Sequence, residues 1–135
     1  MPETTRVFRE ALLLRPEDVP VLRKAAVRHI AEWGVDPLID AFEVCLGELL
    51  ANVLRHCQDR HCEVVAAYVR SPGVYLHVGD RELKPPALLP DAGLAEQGRG
   101  LRMVNELAAK WGYTYLGGRN KRVWAVLEAP RAGER

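Results

Sequence analysis

The chain has too few cysteines for a disulfide framework, since it holds three in 135 residues, and this odd number indicates a reducing compartment. No apolar run approaches the roughly 20 residues that a membrane helix needs. The amino terminus has no signal-peptide core. The net charge is only +1, which gives no reason to expect nucleic acid or an anionic membrane as the main partner. We therefore expect a soluble, cytoplasmic protein.

Two common enzyme motifs are also missing, because the chain has neither a Gly-x-Ser-x-Gly elbow nor a Gly-x-x-x-x-Gly-Lys-Ser/Thr loop. Hydrophobic residues make up 48% of the chain and charged residues 27%, as in a soluble globular protein. The length suits one domain with a modest core. We expect a single domain over residues 1–130, followed by a frayed tail over residues 131–135.

Apolar periodicity and helix breakers predict a strand, two helices, a hairpin, a long loop, a third helix and a second hairpin. The first helix should be capped by Asp18 and stop at Gly34, and the second should start at Asp36-Pro37 and end near Cys57. The other predicted segments are strand 7–14, hairpin 63–78 around Ser71-Pro72-Gly73, loop 81–97, a helix opened by Gly98-Arg99-Gly100 with Lys110 in its last turn, and hairpin 113–127. Clustered hairpins predict an α+β fold, a two-layer sandwich whose mixed, mostly antiparallel sheet is covered on one face by helices.

The second predicted helix carries a polar stripe, because Glu48, Asn52 and His56 follow one another at i, i+4 steps beside its apolar face. Asn52 is a poor helix-interior residue, so its place among apolar neighbours needs a reason. A carboxylate and an amide one turn apart can serve a proton and a Mg²⁺ ion together. Each end of the stripe has an ordinary alternative: Glu48 as a solvated side chain and His56 as a satisfied helix-end histidine.

Two further features are ambiguous when taken singly. Gly98-Arg99-Gly100, placed directly before a helix, would let a phosphate approach free backbone N–H groups, although such a segment is more often a flexible loop. Asp80, at the end of a predicted strand, is by itself more typical of a turn cap.

In combination and in this order, these features resemble the histidine-kinase-like (Bergerat, or GHKL) ATPase domain. Within that superfamily the chain is most similar to the small anti-sigma-factor serine kinases of bacteria. The match covers nearly the whole chain, and its most specific part is the pattern E-L-x-x-N-x-x-x-H. The matching residues are Glu48-Leu49, Asn52 and His56 for that pattern, Asp80 for the adenine aspartate, 98–101 for the second glycine box, Trp111-Gly112, and Lys121, Val123 and Trp124 for K-x-V-W.

The resemblance implies ATP and Mg²⁺ as cofactors. Asn52 would hold Mg²⁺, Glu48 would act as general base, and Asp80 would accept a hydrogen bond from the adenine amino group, with His56 also at the nucleotide. The backbone N–H groups of Gly98, Gly100 and Leu101 would cradle phosphates, residues 81–97 would form a lid, and Arg99 would add charge or stay solvated.

The resemblance also implies a partner and an activity. Such a protein phosphorylates an anti-anti-sigma factor of the STAS type on serine or threonine, sequesters a sigma factor, and is expected to form a homodimer. Two departures, Glu82 and Arg122 in place of the family's glycine and threonine, fall at the adenine end of the pocket. They favour the alternative of a non-catalytic switch that binds partners with weak or no nucleotide turnover. A detached sensor-kinase domain has less support, because we find no preceding dimerisation helix.

The segment that contains His56, Cys57, His61 and Cys62 is a competing candidate for a metal site, since His-Cys clusters can hold Zn²⁺. The spacing fits no standard zinc finger, and the only other cysteine, Cys45, faces the core. The alternative is an ordinary helix end followed by a turn, and zinc stays open at this point.

Overall fold

The computed structural model describes residues 6–57, 59–70, 72–81, 95–117 and 120–129. Within these ranges no helix is long and apolar enough to cross a bilayer. The predicted order of helices and strands is confirmed. The elements are β1 (Val7–Leu13), α1 (Asp18–Ile30), a short 3₁₀ helix (Asp36–Leu38), α2 (Ile39–His56), β2 (His61–Val69), β3 (Gly73–Asp80), α3 (Ala95–Leu107), β4 (Lys110–Tyr115) and β5 (Lys121–Glu128).

The five strands form one sheet in the order β1-β2-β3-β5-β4, and each pair of neighbours is antiparallel. Side chains alternate between the two faces, so that Leu76 and Val78 of β3 and Ala125 of β5 are buried on one of them. Helix α2 packs on β3 and β5, with Phe42 and Leu46 fully buried. The predicted α+β two-layer fold is confirmed, and the described part of the sheet is wholly antiparallel rather than mixed.

The predicted cap of the first helix is wrong by one residue. The N-cap position belongs to Glu17, and Asp18 is the first helical residue. Its carboxylate accepts hydrogen bonds from the main-chain N–H of Arg15 at 2.9 Å and from the Arg15 guanidinium at 3.0 Å. The pKa of Asp18 is therefore lowered, chiefly by the Arg15 side chain. The negative charge still favours the helix start, because it lies in the first turn.

The predicted end of the third helix is also wrong, because α3 stops at Leu107 and Lys110 is the first residue of β4. The chain joins the sheet where the main-chain N–H of Ala109 donates to the carbonyl of Val126 at 2.8 Å. A basic residue is favourable near the C-terminus of a helix because of the helix dipole, and it is also compatible with a strand. The local pattern therefore did not distinguish a last helical turn from the start of a strand.

A polar network crosses the face of the sheet opposite α2. The Arg9 guanidinium donates to Glu63 Oε2 at 3.0 Å, and Glu63 Oε1 lies 3.7 Å from Nε2 of His77. The Tyr75 hydroxyl lies 2.9 Å from Nδ1 of His77. His77 is only 5% exposed, and its Nε2 is buried without a hydrogen-bond partner. Burial and the positive charge of Arg122 lower the pKa of His77 from 6.5 to about 4, although Glu63 acts in the opposite sense.

Stability should therefore fall with acid between pH 6.5 and about 4 because of His77. In this window the unfolded chain binds a proton on this histidine and the folded chain does not, so that the free energy of unfolding decreases as the pH falls. We expect a loss approaching about 3 kcal/mol at pH 4. Urea unfolding of wild type and His77→Gln, measured across this window, checks it. Parallel pH profiles for the two proteins would contradict the assignment to His77. Asp18 and Asp59 do not account for a loss in this window, because their pKa values are lowered from 3.8 and they titrate below it.

Candidate functional site

The polar stripe of α2 lies at the border of the core, as its sequence predicts. Asn52 is buried, at 7% exposure, and Glu48 and His56 are half-buried. The helix is held in place because its apolar face, including Leu49 and Val53, is buried. Asn52 is thus a carboxamide among apolar neighbours, and a group of this kind costs free energy unless something binds it.

Helix α1 packs closely on α2 at Gly47, the residue before Glu48. The Arg23 side chain of α1 lies over Gly47, where a Cβ would be 3.1 Å from Nη1 of Arg23. Burial, and to a smaller extent the negative charge of Glu48, raise the pKa of Cys45 to about 11. Cys45 is therefore a neutral core thiol at physiological pH and is not a nucleophile.

The end of α2 meets the end of β3. The C-cap residue Cys57 donates its main-chain N–H to Val53 at 2.9 Å, and its thiol donates to Asp59 Oδ1 at 3.2 Å. The main-chain N–H of Arg81 also points to the Cys57 sulfur, although burial has the largest effect and raises the pKa of this thiol. Arg81 directly follows Asp80, so the last turn of α2 and the predicted adenine aspartate lie at one end of the molecule.

Asp80 is paired with a residue that the sequence did not single out. Asp80 is opposite Lys121 in the β3–β5 ladder, and Nζ of Lys121 lies 3.7 Å from Oδ1 of Asp80, with side-chain exposures of 3% and 4%. In the sequence Lys121 stands only as part of the K-x-V-W pattern. The strand register would have identified it, because directly opposed residues share one face of a sheet.

Arg122, which stands where the family has threonine, is opposite Gly79 and therefore points to the other face from Asp80. There its charge acts on the Tyr75 hydroxyl, whose pKa is nonetheless raised because burial is the larger effect. Lys121, which matches the family pattern, is therefore the side chain beside the aspartate, and the departure Arg122 is not. Glu82, the other departure, lies outside the described residues.

A cavity of about 520 Å³ opens at this end of the sheet. Its volume is in the range of small-molecule sites. Asp80 and Lys121 border it, together with Cys62, Arg81 and Asn120, and Arg122 contributes to its rim. Glu48, Asn52 and His56 are not among the described residues that line it. The cavity is thus lined by Asp80, the predicted adenine aspartate, and the polar stripe of α2 is not part of its described lining.

The glycine segment lies inside a helix, which corrects the prediction that it precedes one. Helix α3 begins at Ala95, so Gly98 is its fourth residue, and Gly100 and Leu101 are the sixth and seventh. Only the first four N–H groups of a helix lack an internal partner. These are the N–H groups of the N-cap and of the first three helical residues, so Gly98, Gly100 and Leu101 all lie past the positions suited to a phosphate in this structure. Arg99 lies in the same helical turn as Gly98 and Gly100.

The cause of the earlier helix start is packing together with propensity. Leu101 and Val104 are fully buried in the core, and Ala95, Glu96 and Gln97 are good helix formers. These preferences outweigh the cost of two glycines. Most of the predicted lid over residues 81–97 lies outside the described residues, apart from Arg81 and the three residues that open α3.

Two of the candidate zinc ligands, Cys57 and His61, contact Asp59 instead. Cys57 bonds Asp59, and Nδ1 of His61 lies 3.6 Å from Oδ2 of Asp59. Burial raises the pKa of Cys62 to about 12, so this thiol is neutral. In the described part of the chain no group of three or more His, Cys, Asp or Glu residues could hold a metal ion. The described part of this segment is the end of α2 and the start of β2.

Comparisons with known proteins agree with this architecture. The family model described as histidine kinase-like ATPase domain matches residues 12–127. The chain is similar in structure to one in the SiaB–SiaC complex from Pseudomonas aeruginosa, with a TM-score of 0.69 and 12% identity, covering 92% of this chain and 91% of that one. No curated protein matches the sequence. At this level of identity the structural likeness concerns the fold.

Proposed function

The chain belongs to the histidine kinase-like ATPase domain family, and from that premise we propose that it is an ATP-dependent serine/threonine protein kinase of the anti-sigma type. Nucleotide binding is implied by the family itself. The observation that carries the proposal is the buried carboxamide of Asn52 one helical turn from Glu48, at the border between α2 and the core. An amide oxygen can bind Mg²⁺ and a carboxylate can accept the proton of the attacking hydroxyl, and metal-assisted phosphoryl transfer uses both functions.

The donor set of α2 fits Mg²⁺ rather than a softer metal. Mg²⁺ is commonly bound through few protein oxygens plus phosphates and water, and Asn52 provides such an oxygen without a cluster of carboxylates. When bound, the ion would neutralise charge on the triphosphate. Glu48 would accept the proton of the attacking hydroxyl, and Asp80 would accept a hydrogen bond from the adenine amino group. Gly98, Gly100 and Leu101 would offer backbone N–H groups to a phosphate only if the start of α3 unwinds.

The partner we propose is a STAS-type anti-anti-sigma protein that carries the phosphorylated serine or threonine, with a sigma factor as a second partner. Support comes from the fold, since a chain of this fold occurs in a two-protein complex, SiaB–SiaC. We further propose a cytoplasmic location and a homodimer. Sequestration of the sigma factor would need only a binding surface, so it can persist when transfer is lost.

Removing the amide of Asn52 should weaken Mg-ATP binding by at least about tenfold, because the protein loses one contact to a charged group. Titration calorimetry of wild type and Asn52→Ala measures the affinity. Asn105→Ala is the matched control, because Asn105 is an exposed asparagine on α3 that accepts from Trp111 Nε1 at 2.8 Å. Wild-type protein that releases no heat with Mg-ATP would contradict nucleotide binding at this site.

A second candidate function is a binding switch without turnover. It is favoured by one observation, namely that the Asp80 carboxylate already has the Lys121 ammonium beside it. In this case the protein should form a stable complex with its partner in the absence of ATP and transfer no label. Native mass spectrometry with and without Mg-ATP, alongside the calorimetry, distinguishes the two functions.

A further inference from the structure

The proposed function leaves Lys121 without a role, although its position is unusual. Its side chain is 3% exposed and its ammonium lies 3.7 Å from the Asp80 carboxylate. Burying a charged pair costs desolvation free energy, and apolar residues of similar volume are often as stable or more so. The stability of the fold alone is therefore a weak explanation for a lysine here.

The two groups are held in a defined arrangement. They stand directly opposite each other on neighbouring strands, so the backbone ladder fixes the separation of their Cα atoms. Both border the cavity of about 520 Å³. A ligand placed in this cavity meets an acceptor-only carboxylate beside a donor-only ammonium.

We propose that Lys121 selects the base: it donates a hydrogen bond to N1 of adenine while Asp80 accepts one from the 6-amino group. This rests on the proposed function, which assigns the amino group to Asp80. On this edge adenine presents one donor, the 6-amino group, beside one acceptor, N1. Guanine in the same orientation would present its O6 to the carboxylate and its N1–H to the ammonium, so both contacts would be repulsive. The pair thus accepts adenine and rejects guanine by charge and hydrogen-bond polarity.

The test compares ATP, 1-deaza-ATP, in which N1 is replaced by C–H, and GTP, by titration calorimetry in Mg²⁺ buffer. Wild type should bind ATP at least about tenfold more tightly than 1-deaza-ATP and GTP. Lys121→Met should bind ATP and 1-deaza-ATP with nearly equal affinity. Lys110→Met is the matched control, because Lys110 is an exposed lysine on β4, and it should keep the wild-type ratio.

Three outcomes would overturn the inference while leaving the proposed function standing. In the first, wild type binds 1-deaza-ATP or GTP as tightly as ATP. In the second, Lys121→Met keeps the wild-type ratio of ATP affinity to 1-deaza-ATP affinity. In the third, Lys121→Met binds ATP more tightly than wild type does, which would mean that the lysine masks the aspartate. Failure of wild type to bind any of the nucleotides would overturn the proposed function as well. If Lys121→Met does not fold, the comparison of the three nucleotides on wild type decides the matter.

Discussion

Glu48→Gln should lower the rate of phosphoryl transfer to a protein partner by about 10²–10⁴-fold, the usual contribution of a general base. The amide has nearly the same shape as the carboxylate, but it cannot accept the proton of the attacking hydroxyl. Since Glu48 is proposed to act on the hydroxyl and not on the nucleotide, Mg-ATP affinity should stay close to that of wild type. The measurement is transfer of label from radiolabelled ATP to a candidate anti-anti-sigma protein.

The matched control for this experiment is Glu43→Gln, on the same helix and also half-buried, which should transfer label at the wild-type rate. Undiminished transfer by Glu48→Gln would remove Glu48 from the mechanism. Equal losses in both variants would indicate that charge on α2, rather than proton transfer, is responsible. A loss confined to Glu48→Gln, with unchanged Mg-ATP affinity, is the expected pattern.

Gly73→Ala should lower the free energy of unfolding by about 3 kcal/mol, the upper end of the usual cost of overpacking, since the added methyl group meets backbone that cannot yield. A Cβ at Gly73 would overlap the carbonyl oxygen of Leu127 on β5 and lie 3.1 Å from Cγ2 of Val69 on β2. Relief of the overlap requires β3 and β5 to separate, which would break ladder hydrogen bonds. Urea unfolding followed by circular dichroism gives the loss directly.

Gly79→Ala is the control, with the same substitution in the same strand. A Cβ there would meet Lys121 O at 3.6 Å and Glu63 at 3.9 Å, which are ordinary contacts. We expect it to unfold at nearly the wild-type urea concentration. Equal stabilities of the two variants would mean that the strands adjust at Gly73 more easily than their pairing indicates.

Patterns that repeat within one element were enough to predict most of the fold. The alternation of 63–69 and 74–78 predicts a hairpin, and β2 pairs with β3 in the structure. Phe42, Leu46 and Leu50 recur at helical spacing and are all fully buried in α2. The border position of Asn52 follows from the same spacing, because the helical period alone sets which side chains adjoin the apolar face.

The predictions that failed concern positions where local preferences are balanced. Asp18 suits an N-cap and a first turn equally, and Arg15 decides between them by binding its carboxylate. Gly98 and Gly100 indicate a loop before a helix, but burial of Leu101 extends the helix across both. Gly73 was expected in the turn, whereas it is the first residue of β3 and faces the backbone of β5.

Sequence alone determined the order of elements, the two-layer fold and the polar stripe of α2, because each depends on residues a few positions apart. Tertiary structure alone decided that Lys121 lies against Asp80 and that Arg122 points to the opposite face. Both follow from the register of β3 with β5, which long-range packing sets. A shift of one residue in that register would exchange the two side chains.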